Sequence, residues 1–162
     1  MKESKIIIYT DGSAIGNPGP GGCAAVLIYG KNRLELSKGY RLTTNNRMEL
    51  MAVIMALEAL KKDGLNIIIF SDSRYVVEAV EKKWIFKWKS TGFNKKKNID
   101  LWMNFLELYP KNQIQFKWVE AHVGISENEK CDFLAKKAAE NPQFIDKEYE
   151  NLKNRESLNF EK

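Results

Sequence analysis

A chain of 162 residues is long enough for one domain with a real core, and no stretch approaches the roughly 18 uninterrupted apolar residues of a membrane span. The opening MKESKIII has neither a long apolar core nor a small-residue cleavage site, so no secretory signal is expected, and Cys23 and Cys131, without metal-ligand spacing, read as reduced cytosolic thiols. The net charge of +5 is unevenly spread: residues 82–97 (KKWIFKWKSTGFNKKK) hold seven lysines and no acid, so the rest sums to −2, and a local basic patch of this kind points to a polyanionic partner such as nucleic acid.

Residues 5–11 (KIIIYTD) form an apolar run that ends on an acid, a strand signal. CAAVLIYG and RLELSKGYRL predict two more strands, joined by a turn near residues 30–32. From Asn46 to about Lys62 the pattern is helical, with Leu50, Val53, Ile54, Leu57 and Leu60 at spacings of three and four. Asp63 and Gly64 suit its stop. NIIIFSD, residues 66–72, is a second apolar run ending on an acid, and a short helix is expected from Ser73 to about Lys83. The basic, aromatic segment that follows has no clean period. Residues 98–108 predict a helix and residues 113–119 alternate like a strand. Ser126 is expected to open a further helix, with Glu129 completing an S-x-x-E cap. From Asn141 the chain is polar and reads as a loosely attached tail, residues 142–162, behind a domain of residues 1–141.

Three strands followed by alternating units imply a mixed α/β sheet with helices packed on it. IIIYTD and IIIFSD suit central strands buried on both faces. Ligands of such sheets sit beyond the strand C-termini. Asp11 and Asp72 end both runs, and two carboxylates at neighbouring strand ends raise each other's pKa unless a cation sits between them. A hard divalent ion, magnesium with manganese as a substitute, suits such oxygen donors. Taken singly, either acid is an ordinary turn or cap residue. Glu49 has an equally bland alternative, since Asn46-x-x-Glu49 has the form of a capping box. Asp132 lies in a helix beside Cys131, Leu134 and Ala138, where a solvated acid is common. His122 is the only histidine; it is expected in a loop between a strand and a helix, and an imidazole is the side chain suited to moving a proton near neutral pH.

Several stretches together resemble the bacterial type 1 ribonuclease H family, enzymes that cut the RNA strand of RNA–DNA hybrids. They are YTDGSAIGNPGPGG, TTNNRMELMAVIMALEAL, SDSRYV, the W-x-x-x-W of WIFKWK followed by TGF, NIDLW, and HVGISENEKCDFLA, in family order over most of residues 5–141. The resemblance implies the ribonuclease H-like fold, a mixed five-stranded sheet of three antiparallel strands plus two parallel ones. It implies that Asp11, Glu49, Asp72 and Asp132 hold two metal ions, and that His122 assists proton movement and product release. It implies substrate-groove roles for Asn17, Thr44, Asn45, Asn46, Ser73 and Arg74. Trp84 and Trp88, with Lys89, Lys95, Lys96 and Lys97, match a basic handle, residues 82–97, that grips the DNA strand.

The expected activity is two-metal hydrolysis of the hybrid's RNA strand, giving 5′-phosphate and 3′-hydroxyl ends without strong sequence preference. RNA is told from DNA by its 2′-hydroxyl; Asn45, Asn46 and the backbone near Gly12 are the candidates to read it. Gly12, lacking a Cβ, is expected to let ligand and metal approach, and the glycines and prolines of residues 16–22 to make a tight return into the second strand. A cytoplasmic monomer with an RNA–DNA hybrid as partner and no membrane attachment is expected. Departures from the family pattern are Ala121, Ile125 and Ser126 around the histidine, Arg74 in place of a frequent glutamine, Phe93 in place of a tryptophan, and one residue inserted between Tyr75 and Trp84. Two other classes fit parts of the pattern. The complete set of acids and the histidine argues against a non-catalytic binding module, and the basic handle against an integrase-like strand-transfer domain.

Overall fold

The computed structural model describes residues 5–121 and 124–160. β1 (Ile6–Ala14) pairs antiparallel with β2 (Gly19–Tyr29), and β2 antiparallel with β3 (Asn32–Thr43). On the other side β4 (Asn66–Ser71) runs parallel to β1, and β5 (Gln113–Trp118) parallel to β4. The order β3-β2-β1-β4-β5 is the expected mixed five-stranded sheet. Ile8, Ile67 and Ile69 are at most 2% exposed, as two-sided burial of the central strands requires.

Alternation along the strands feeds two cores. Cys23, Ala25 and Leu27 of β2 face a large core with α1 (Asn45–Glu58), α2 (Arg74–Glu81) and α4 (Ile99–Leu108), where Trp102 and Phe105 are fully buried. Ala24 and Val26 face a smaller one with Cys131 and Ala135 of α5 (Ser126–Glu140). α5 lies directly on the strands: a Cβ at Gly22 would stand 2.0 Å from the Ala135 carbonyl oxygen, and one at Gly39 2.0 Å from that of Ala138.

Several boundaries differ from the sequence expectation. β1 continues through Asp11 to Ala14, because its pairing with β2 runs on after its pairing with β4 stops at Thr10 and Ser71. α1 is capped by Thr44, whose hydroxyl accepts from the Arg47 N–H at 3.2 Å, so Asn46 and Glu49 form no capping box; the helix ends at Glu58, short of Lys62. Ser126 is already inside α5, and Ile125 precedes it with no side-chain cap. The basic segment contains a helix, α3 (Trp84–Ser90), held by buried Ile85 and half-buried Trp88. Two turns supply too few apolar positions to show a period.

The loose tail is also corrected. The Phe144 N–H donates to Gly39 O at 2.9 Å and its carbonyl accepts from the Arg41 N–H at 3.1 Å, forming a bridge beside β3. Asp146 is 4% exposed and accepts from the Thr43 hydroxyl at 2.8 Å and from Arg47 Nε at 2.7 Å. Arg47 reaches Asp100 with Nη1 at 2.8 Å and Nη2 at 2.7 Å. A further helix, α6 (Lys147–Phe160), follows with Tyr149 buried.

Candidate active site

Asp11 and Asp72 are the first residues beyond the last parallel pair of β1 and β4, so the two carboxylates leave the sheet at one edge. Glu49 comes from the first turns of α1. Gly12 makes that approach possible. A Cβ there would lie 2.2 Å from the Met48 carbonyl carbon and 2.4 Å from the Glu49 nitrogen, so the space it vacates is filled by the backbone of α1. This corrects the expected role of Gly12. It is buried, and its N–H donates to Asp11 Oδ1 at 2.9 Å, so it brings a helix to the acid and does not open the acid to a ligand.

Carboxylate oxygens of Asp11, Glu49 and Asp72 lie within 4.8 Å of one another, the one such group of potential metal ligands among the described residues. Asp11 is 5% and Glu49 9% exposed, and Asp72 is half-buried. No lysine or arginine forms an ion pair with any of the three among the described residues. Burial, then the charge of Asp72, pushes the Asp11 carboxyl up to about 7, with Asp132 adding a smaller push. Burial, then Asp11 and Asp72, raises Glu49 well above the usual carboxylate range. Glu49 Oε1 is buried without a hydrogen-bond partner. An oxygen-only set with a buried, unpartnered acceptor fits a hard divalent cation.

Asp132 stands outside this group of three. It sits on α5 beside buried Cys131, near enough to Asp11 for its charge to register, and its carboxylate pairs with Lys136 at 3.0 Å. His122 lies outside the described residues.

The groove candidates divide by what already holds them. Asn17 Oδ1 accepts from the Asn45 N–H at 2.9 Å, and Asn45 Oδ1 from the Ala14 N–H at 2.6 Å, so these two side chains tie the β1–β2 turn to the start of α1 and leave their amide NH₂ groups as donors. Asn46 is exposed beside them. The hydroxyls of Thr44 and Ser73 both accept at helix N-termini, Ser73 from Val76 N–H at 3.2 Å. Arg74 is exposed at the start of α2.

In the basic segment Lys89, Lys95, Lys96 and Lys97 are all exposed and Trp84 is 39% exposed. Trp88 turns inward, in a T-shaped contact with Trp102 at 6.0 Å, with Lys96 over its ring at 4.8 Å. Trp88 therefore anchors the segment to the core, and the lysines carry the outward charge. Sequence reading overlooked Trp118 at the end of β5. Its alternation with Phe116 marked it as strand; its position beside Asp72 depended on the β4–β5 register, which pairs it with Ser71.

The RNase H family model matches residues 3–140. A ribonuclease H of Syntrophus aciditrophicus is 51% identical over 142 residues, covering 85% of this chain and 82% of the relative. One from Shewanella amazonensis is 48% identical over 157 residues, covering 93% and 99%. Among solved structures, LC9-RNase H1, a type 1 RNase H with the type 2 active-site motif, aligns with a TM-score of 0.79 at 28% identity over 88% of this chain and 75% of its own. LC11-RNase H1 in complex with RNA/DNA hybrid aligns with a TM-score of 0.60 at 28% identity, over 83% of this chain and 96% of its own.

Proposed function

The chain belongs to the ribonuclease H family, and from that membership we propose that it is an endonuclease hydrolysing the RNA strand of RNA–DNA hybrids, leaving 5′-phosphate and 3′-hydroxyl ends without strong sequence preference. The observation that carries this reading is the trio Asp11, Glu49 and Asp72, gathered at one sheet edge with no cationic side chain paired to them among the described residues.

Asp11, Glu49 and Asp72 would hold divalent ions, magnesium in our assignment with manganese as a substitute. Asp132 joins them by releasing Lys136. That pair is an i,i+4 contact at the surface, worth about 0.3–0.5 kcal/mol, so the release is cheap. Bound in pairs, such ions would supply an acidified water and positive charge for the leaving 3′ oxygen. The carboxylates themselves orient the scissile phosphate by fixing where that positive charge lies. His122 moves the proton to the departing strand and helps it leave, so His122→Ala slows turnover without stopping it.

Selectivity rests on the NH₂ donors of Asn45 and Asn46, aimed at RNA 2′-hydroxyls, with Asn17 bracing Asn45. Lys89, Lys95, Lys96 and Lys97 meet phosphates of the DNA strand, contacts that position the duplex without reading its sequence. The catalytic unit is residues 1–141 with the handle at 82–97, acting as a cytoplasmic monomer.

The test is cleavage of a hybrid with a labelled RNA strand, in Mg²⁺ and in chelator, beside RNA alone and duplex DNA. Metal-dependent cutting of only the hybrid's RNA is expected. Tight hybrid binding without cutting in Mg²⁺ or Mn²⁺ would replace the enzyme with a binding module.

A further inference from the structure

Trp118 ends β5 41% exposed, a large apolar residue left open at the rim of the carboxylate edge. Two contacts fix the ring. Its Nε1 donates to the backbone carbonyl of Asp72 at 3.1 Å. The guanidinium of Arg74 lies over the ring, 4.2 Å from its centroid. One side chain is thus tied both to the backbone of a metal-holding acid and to the cation two residues beyond it.

The state of Arg74 differs from that of three other arginines of the chain. Arg33, Arg41 and Arg47 each donate to carboxylates at 2.8 Å or less. The nearest acid to Arg74 is Glu78 at 3.7 Å, beyond hydrogen-bond range, and the Arg74 side chain is 65% exposed. A guanidinium laid on a ring uses its face and keeps its in-plane N–H donors for an acceptor elsewhere. Stacking also removes rotamer freedom that a long side chain would otherwise lose on meeting a ligand. The acceptors nearest to hand, on the function proposed above, are the phosphate and groove oxygens of the bound duplex.

Resting on that function, we propose that Trp118 is a positioning residue. It holds Arg74 over its ring at the rim of the acid cluster, so that the guanidinium N–H donors meet the hybrid beside the cleaved bond, and the two residues act on hybrid affinity as one unit.

The experiment measures hybrid affinity by fluorescence anisotropy in chelator, where nothing is cut, and cleavage in Mg²⁺ alongside it. Trp118→Leu should raise Kd about 2- to 5-fold, the size of an exposed cation–π contact, and raise KM with kcat changed less than about twofold. Trp118→Phe, which keeps a ring, should restore Kd to within about twofold of the parent. Arg74→Ala should weaken binding at least as much as Trp118→Leu, and the double variant no more than Arg74→Ala alone. Additive losses in the double variant, or an unchanged Kd for Trp118→Leu, would overturn the coupling. A melting curve for each variant checks folding; should the leucine variant be unfolded, a phenylalanine variant as weak as Arg74→Ala would overturn it instead. A parent that binds hybrid without cutting removes the proposed function and leaves the affinity test intact. A parent that does not bind hybrid overturns both.

Discussion

Arg47 and Glu49 stand two residues apart in α1, both buried, in opposite surroundings. Around Arg47 every charge has an opposite partner. Two carboxylates, Asp100 and Asp146, take its donors at 2.7–3.0 Å, and Thr43 adds a bond to Asp146. Around Glu49 that is not so. Two more acids converge, no cation answers them among the described residues, and Glu49 Oε1 lacks a partner. A buried charge is tolerated when paired and hydrogen-bonded, and otherwise raises its pKa or waits for a ligand. The paired cluster locks the segment after Asn141 to the start of α1. The acid cluster holds its repulsion in readiness for a cation, and this contrast separates scaffold from site more sharply than burial alone.

If that is right, removing an acid should have opposite consequences in the two clusters. The largest effect belongs to Asp72→Asn. It should lower hybrid cleavage by at least about 1,000-fold, the rate equivalent of about 4 kcal/mol, because positioning of the metal charge is lost. Hybrid binding should stay within a few-fold of the parent, and the metal-free protein should melt at a higher temperature, since Asp11 and Glu49 lose a repelling neighbour. Substantial turnover by this variant would break the site side of the comparison.

On the scaffold side, Asp146→Ala leaves Arg47, 5% exposed, with Asp100 as its one carboxylate partner and removes the acceptor of the Thr43 hydroxyl. Asp100 still pairs the guanidinium, so the loss is that of hydrogen bonds to a charged group, about 1.5–3 kcal/mol, and urea unfolding should shift to lower denaturant while the folded fraction still cleaves. A shift below about 1 kcal/mol would mean that the C-terminal segment is attached as loosely as its composition suggests.

That expected looseness shows what a sequence hides. Period-2 and period-3.6 patterns made five strands and most helices legible, because each is a local consequence of burial on one face or two. Asp11 and Asp72 were legible for the same reason, as polar ends of apolar runs. Glu49 was masked by a capping pattern it does not use. The Arg47 cluster had no local signal: its partners lie 53 and 99 residues away, and Asp146 stands in a largely polar segment with only scattered apolar residues. Gly12 was misjudged because a glycine announces a missing Cβ without saying what fills the space, here the backbone of α1. Trp118 looked like one more strand aromatic until the register placed it beside Asp72.

The smallest effect, and the most direct measure of the contrast, is the dependence on pH. The Asp11 carboxyl is pushed up to about 7, by burial first and by Asp72 next. A group whose folded pKa lies above its unfolded value contributes stability that is complete below the ordinary carboxylate range near 4 and is lost as pH rises through the folded value. Asp100 runs the other way. Burial pushes it up, but the Arg47 guanidinium overrides that and holds its carboxyl below the usual range. Its contribution is present above the ordinary carboxylate pKa and is lost as pH falls through the lowered value. Urea midpoints in chelator should therefore show Asp11→Asn gaining on the parent as pH rises from about 4 to 7, most steeply midway through that range, and levelling off above about 8. Asp100→Asn should carry a constant deficit above about pH 5 that shrinks in more acid solution. Saturating Mg²⁺ should remove the first difference by stabilising the parent, and leave the second untouched. A flat Asp11→Asn difference across the whole range would mean that the three acids are already compensated without a cation, and the distinction between the two clusters would fall.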